Sequence, residues 1–144
     1  MILSDFAGAW QMDRRIDDRM TGRIGTVTGI AVFHRSRDGL LYQEEGILRL
    51  PGQPDLTARQ SYLWRADGDG IEVRFADGRS FHRFALGRPT ATARHDCAPD
   101  TYAVTYDLAQ WPDWASTWNV TGPRKDYAMI TRYRRSDASG PGGA

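Results

Sequence analysis

The sequence predicts an all-β protein, a single up-and-down antiparallel barrel of about ten strands behind a short N-terminal helical entry. Three observations lead there. Most segments alternate apolar and polar residues and are rich in Val, Ile, Thr, Tyr, Phe and Trp, which suits half-buried strands. Turn signals recur at close intervals with no crossover helix between them. Closing ten short strands on themselves removes the unpaired edges that an open sheet would expose.

The elements follow in order. Ser4 marks the helical entry, and Phe6-Ala-Gly-Ala-Trp10 opens the first strand. A turn centred on Asp38-Gly39 joins two strands of the first half, and Pro51 to Pro54 forms a longer connection. Further turns fall at Asp67-Gly-Asp-Gly70, Asp77-Gly78, Gly87-Arg-Pro89, Ala98-Pro-Asp100 and Gly122-Pro-Arg124. Trp111-Pro-Asp-Trp114 reads as a loop or lid over one end, and Thr131-Arg-Tyr-Arg134 ends the last strand. Residues 1–135 are expected to form the barrel. Residues 136–144, Ser-Asp-Ala-Ser-Gly-Pro-Gly-Gly-Ala, have nothing apolar to bury and read as a disordered tail.

Turn positions fix which residues face each other, because directly opposed residues of a hairpin share a face. A two-residue turn at Asp77-Gly78 pairs Phe75 with Ser80, Val73 with His82 and Ile71 with Phe84, opposite a charged face of Glu72 and Arg83. The turn before it sets Trp64 beside Val73 and Tyr62 beside Phe75. A turn around Arg88-Pro89 puts His82 opposite His95, and one at Ala98-Pro99 puts His95 opposite Tyr102, Ala93 opposite Val104 and Ala91 opposite Tyr106. The Gly122-Pro123 turn pairs Val120 with Tyr127 and Trp118 with Met129. One inward row results: Trp64, Val73, His82, His95, Tyr102. Phe33, Tyr42, Glu44, Gly46 and Leu48 share a face with the better apolar count, which favours Glu44 over Glu45 as the inward residue. Arg59 faces outward, although one bulge before Tyr62 would turn it in.

Two imidazoles buried beside a phenol cost free energy unless their nitrogens find partners, and Val73, Phe84 and Ala93 supply none. The row therefore points to a cavity for a small, partly aromatic or anionic molecule. His82, His95 and Tyr102 form its polar centre, Tyr62, Trp64, Trp118 and Tyr127 its walls, and Glu44 a further polar contact. Ordinary core packing explains each aromatic residue taken singly. The same centre could serve a cofactor-independent lyase, isomerase or hydrolase, with His82 and His95 as acid and base and Tyr102 as donor. A haem or metal carrier would use one histidine as ligand. Cys97 shares the face of His95, yet no local metal motif accompanies it, and no metal site or particular cofactor is assigned.

Nineteen basic residues against eighteen acidic give a formal net charge of +1 with no block of either sign, so no nucleic-acid partner is expected. The N-terminus lacks the features of a signal peptide, and no run approaches a membrane span, so the cytoplasm is the expected compartment. A homodimer is compatible with the sequence. Arg124 and Lys125 read as a solvated corner or a cationic rim, and an arginine of the last strand packed over Trp10 would close the barrel's end.

Gly8-x-Trp10 with a closing arginine resembles the calycins, the group of barrels that includes the fatty-acid-binding proteins and lipocalins. The binders' Arg-x-Tyr carboxylate clamp would need tyrosine at Arg134, so fatty-acid binding does not carry over. Over residues 5 to 135 the chain is similar to domain of unknown function 6314. The residues behind that likeness are Leu41-Tyr-Gln-Glu-Glu-Gly46, Arg59, Tyr62-Leu-Trp64, Phe75-Ala-Asp-Gly-Arg79, Phe81-His82, His95-Asp-Cys97, Tyr102 and Trp118 to Tyr127. That resemblance implies no particular activity.

Overall fold

Alternation along the chain becomes alternation across a sheet wall in the computed structural model, which describes residues 1–136. A 3₁₀ turn, Leu3–Phe6, precedes ten strands: β1 (Gly8–Asp18), β2 (Arg23–Ser36), β3 (Gly39–Arg49), β4 (Leu56–Asp67) and β5 (Gly70–Phe75), followed by β6 (Ser80–Ala85), β7 (Thr90–Cys97), β8 (Asp100–Asp107), β9 (Trp114–Gly122) and β10 (Lys125–Arg135). All pairings are antiparallel between chain neighbours, and β1 pairs β10, so the sheet runs β6-β5-β4-β3-β2-β1-β10-β9-β8-β7. The meander thus wraps into a near-closed, calycin-like barrel, and β6 and β7 meet at the seam without a ladder. The expected tail falls, from residue 137 on, outside the described residues. Among those described, no helix is long and apolar enough to cross a membrane.

Most of the expected register is present. Trp64 pairs with Val73, Val73 with His82, His95 with Tyr102, and Val120 with Tyr127. Three expectations need correction. The β2–β3 hairpin turns at Arg37-Asp38, with Ser36 opposite Gly39 and Phe33 opposite Tyr42. Gly39 is already a strand residue at φ +150°, where a Cβ would run into the Trp64 carbonyl; the shift is even, so the inward face is unchanged.

The second correction concerns Phe75 and Ser80, which do not pair. Gly78 donates to the Phe75 carbonyl and Phe75 to the Arg79 carbonyl, closing a three-residue loop with Gly78 at φ +91°. Arg74 then pairs with Ser80 while Val73 still pairs with His82, which leaves Phe81 as an extra, bulged residue. Phe81 and His82 are both buried as a result. Third, His82 and His95 are not ladder partners, and neither are Phe84 and Ala93. β6 and β7 are the two end strands of the sheet, and side chains cover the seam between them: the Phe81 ring lies 4.4 Å from the His82 ring and 5.3 Å from that of His95.

The two ends of the barrel differ. At one, Phe6 is fully buried with its ring 4.9 to 5.8 Å from those of Phe33, Trp64, Trp111 and Trp114. Trp10 donates its indole N–H to the Phe6 carbonyl at 2.9 Å. The Arg135 guanidinium lies 3.9 Å above the Trp10 ring and donates to the Ala7 and Asp5 carbonyls at 2.8 and 2.6 Å. Sequence-distant β10 is thereby pinned to the entry turn, and this end is plugged.

Trp10→Ala is expected to lower stability by about 3–5 kcal/mol. Arg135→Lys is expected to lose nearly as much as Arg135→Ala, because an ammonium cannot hold two carbonyls while lying flat on an indole. Urea melts of the three variants check both; an Arg135→Lys protein as stable as wild type would show the planar fork to be dispensable.

Candidate functional site

Inward positions near the middle of the barrel do not fill it. A cavity of about 290 Å³ remains, reaching from Trp64, Tyr106 and Trp114 near the plug to Ile16, Leu48, Ala58 and Tyr127 toward the open end. This lies at the lower edge of ordinary ligand pockets, roughly 300–1,000 Å³.

One wall is polar, and its central residue is a basic one that the sequence reading did not select. Alternation from Trp10 through Met12 brings Arg14 inward on β1. Glu44, inward on β3, is 6% exposed. Between their positions the ladder carries Gly29 opposite Gly46, with no side chains, and Arg14 extends across that gap. Its Nη1 and Nη2 donate to Glu44 Oε2 and Oε1 at 2.6 and 2.9 Å, and its Nε donates to Thr131 Oγ1 at 2.8 Å. Tyr42 donates to Glu44 Oε1 at 2.6 Å. Because that uses the only hydroxyl hydrogen of Tyr42, Tyr133 must be the donor in the 2.9 Å contact between the two phenols. Both guanidinium Nη groups and the Tyr42 hydroxyl thus donate to one carboxylate, while Nε is held by Thr131. Burial works against the Arg14 charge, but the hydrogen bond and field of Glu44 with the nearby phenols outweigh it and push its pKa up. Burial is also the main cause holding the Tyr42 and Tyr133 phenols protonated, with raised pKa values.

The opposite wall is aromatic and holds His82. Its Nε2 lies 2.7 Å from the Tyr106 hydroxyl, while Nδ1 is buried with no partner among the described residues. Burial, reinforced by the nearby charge of His95, lowers its pKa from 6.5 to about 4, so the ring is neutral at pH 7. Tyr106 is fully enclosed and burial raises its phenol pKa. Trp118 stands near the rings of Tyr62, Phe81, His82 and Tyr102 at 5.2 to 6.5 Å.

The expected site residues fall into two groups. Glu44, Tyr62, Trp64, His82, Trp118 and Tyr127 line the cavity together. His95 and Tyr102 stand apart at the seam and rim: His95 is half-buried against Phe75 and Phe81, and Tyr102 accepts from Lys125 Nζ at 3.3 Å. Phe81 touches both His82 and His95, and the phenol bonded to His82 is Tyr106 rather than Tyr102. Lys125 is also paired with Asp100 at 3.3 Å, and Asp126 with Arg19 at 2.7 Å. Glu45 and Arg59 form an outer ion pair at 2.9 Å, which fixes Glu44 as the inward one of the two glutamates. Cys97 is exposed, and no three His, Cys, Asp or Glu side chains among the described residues converge as metal ligands.

Arg14, Tyr42 and Tyr133 are the functional candidates that the sequence reading missed. Parity counted from Trp10 would have found Arg14, and the pairing of Ala91 with Tyr106 already placed that phenol inside.

No curated protein matches the chain by sequence. Among solved structures, the S-type phycobiliprotein lyase CPES from Guillardia theta is similar, with a TM-score of 0.65 at 8% identity over 95% of this chain and 94% of that one. At such low identity the likeness speaks for the barrel alone. The sequence itself matches, over residues 6–135, the model of a family of unknown function, and the chain belongs to that family, DUF6314.

Proposed function

We propose that the protein binds a small, partly aromatic molecule in the barrel cavity. The observation that supports this most directly is the unfilled space of about 290 Å³ between an aromatic wall and a buried, fully hydrogen-bonded Arg14–Glu44 pair. A barrel that needed only stability would be served as well by apolar side chains, since replacing a buried ion pair with well-packed hydrophobes is often neutral or stabilising. Roughly ten waters would fill the space at about 30 Å³ each, so a ligand of one or two rings suits it. The phycobiliprotein lyase of similar fold offers a precedent for function on this barrel and says nothing of the ligand here.

Binding accounts for the site better than acid-base catalysis or haem and metal carriage do. A histidine held near pKa 4 is a poor acid at neutral pH, and its Nε2 is engaged by Tyr106. The second imidazole and Tyr102 lie outside the chamber wall.

Native mass spectrometry of the purified protein is expected to show a non-covalent adduct that denaturation releases. Ser116→Leu, which fills the chamber from a buried position on its wall, should abolish the adduct while the melting temperature stays close to that of wild type. An adduct that survives in Ser116→Leu would place the ligand elsewhere.

A second expectation concerns pH. The folded pKa of His82 lies below its unfolded value of 6.5, so the unfolded chain takes up the proton first. The stability tied to the neutral ring is complete above pH 6.5 and is lost as pH falls toward 4. That loss amounts to about 3 kcal/mol. Urea melts at pH 7 and pH 4 should show this increment in wild type and its absence in His82→Gln; equal slopes in the two proteins would contradict a neutral buried imidazole.

A further inference from the structure

The charges of the chamber are already matched before any ligand enters. Both edges of the Arg14 guanidinium are committed: Nη1 and Nη2 to Glu44, Nε to Thr131, and Nη2 also to the Met12 sulfur at 3.7 Å. The Glu44 carboxylate accepts from Arg14 and from Tyr42, and its side chain is 5% exposed. A bidentate guanidinium–carboxylate pair is the arrangement by which proteins commonly hold a carboxylate ligand. Here a carboxylate of the chain itself sits in that place.

An incoming anion would face Glu44 at short range in a medium that screens weakly. To reach Arg14 it would have to displace Glu44 and leave that charge buried without its partner. Arg59, the other cation along the cavity lining, is taken by Glu45 at 2.9 Å. What the wall still offers is uncharged. The hydroxyls of Ser116 and Tyr62 make no hydrogen bond among the described residues, and Gln60 holds only the Ser61 N–H at its carbonyl oxygen. Hydroxyls and amides of this kind both donate and accept. The ring faces of Tyr62 and Trp118 flank them.

We infer that the chamber selects an uncharged aromatic molecule bearing an amide or hydroxyl group, and that Glu44 excludes carboxylates by occupying their place on Arg14. This rests on the small-molecule reading above and names the class of ligand.

Benzamide, benzoate and benzamidinium are nearly the same shape and differ in charge, so they separate the two ideas. Titrations followed by calorimetry and saturation-transfer NMR would use wild type, Glu44→Gln and the doubly neutral Arg14→Gln/Glu44→Gln. Wild type should bind benzamide at least tenfold more tightly than either charged compound. Glu44→Gln frees the guanidinium, so its affinity for benzoate should rise at least tenfold, and benzoate should raise its melting temperature. The double variant should keep benzamide and lose that gain. Wild-type binding of benzoate or benzamidinium as tight as that of benzamide, or no gain in Glu44→Gln, would overturn the charge exclusion and leave small-molecule binding standing. If none of the three compounds binds any of the proteins, both readings fall. Should Glu44→Gln not fold, the wild-type ratios alone decide.

Discussion

The arrangement of the chamber depends on one largely buried ion pair, which water screens only weakly. Arg14 and Glu44 come from β1 and β3, with β2 between them, and their contact spans a floor of paired glycines. Taking two charges out of water costs several kcal/mol per ion unless geometry and further hydrogen bonds offset it. The offset here is extensive, because Thr131, Tyr42 and, through Tyr42, Tyr133 complete the set. These residues lie on three different strands, so any change in the register of β1, β3 or β10 would break the network. A polar cluster of this kind rigidifies its surroundings only when every member is satisfied. In this barrel the polar wall is both the most expensive part of the interior and the part that fixes the relative placement of the strands around it.

The rest of the barrel is divided to suit that wall. At the plugged end, Phe6, Trp10, Trp111 and Trp114 pack edge to face, which fills space with rigid rings and leaves no room for a ligand. Trp114 belongs to both regions: it stacks on Tyr133 at 3.9 Å and also lines the chamber. The plug therefore supports the polar wall from behind. Toward the open end the lining residues include Ile16, Leu48 and Ala58, and space remains between them and the opposite wall.

Much of this was legible in the sequence because antiparallel ladders obey a fixed arithmetic once their turns are placed. Tyr62, Trp64, Val73, His82, Val104, Val120 and Tyr127 face as the turn positions require. The failures have physical causes. Asp77-Gly78 has the composition of a two-residue hairpin but closes a three-residue loop, and the bulge at Phe81 then restores the parity beyond it. A pattern read residue by residue cannot register two errors that cancel, which is why His82 was placed correctly while Phe81 was not seen to be buried. The His82 and His95 pairing failed because the chain's connectivity does not say where a barrel leaves its seam. Arg14 was hidden by its neighbours: in Asp13-Arg-Arg-Ile-Asp-Asp18 charge appears on both faces, and only parity carried on from Trp10 and Met12 separates the inward arginine from the outward one.

That blind spot bears on how function is read from this fold. A barrel retained at 8% identity shows that alternation and closure specify the shape through residue class, with almost no residue held in common. Ligand choice cannot be specified so loosely. It depends on whether one inward position holds a carboxylate beside the guanidinium or leaves the guanidinium bare, a difference of a single side chain that leaves strand patterning and burial unchanged. Two barrels could therefore share every strand and turn and still prefer ligands of opposite charge. For this chain the informative comparison with other barrels is the partner of the inward arginine on the first strand, since that pair carries the charge of the chamber's polar wall.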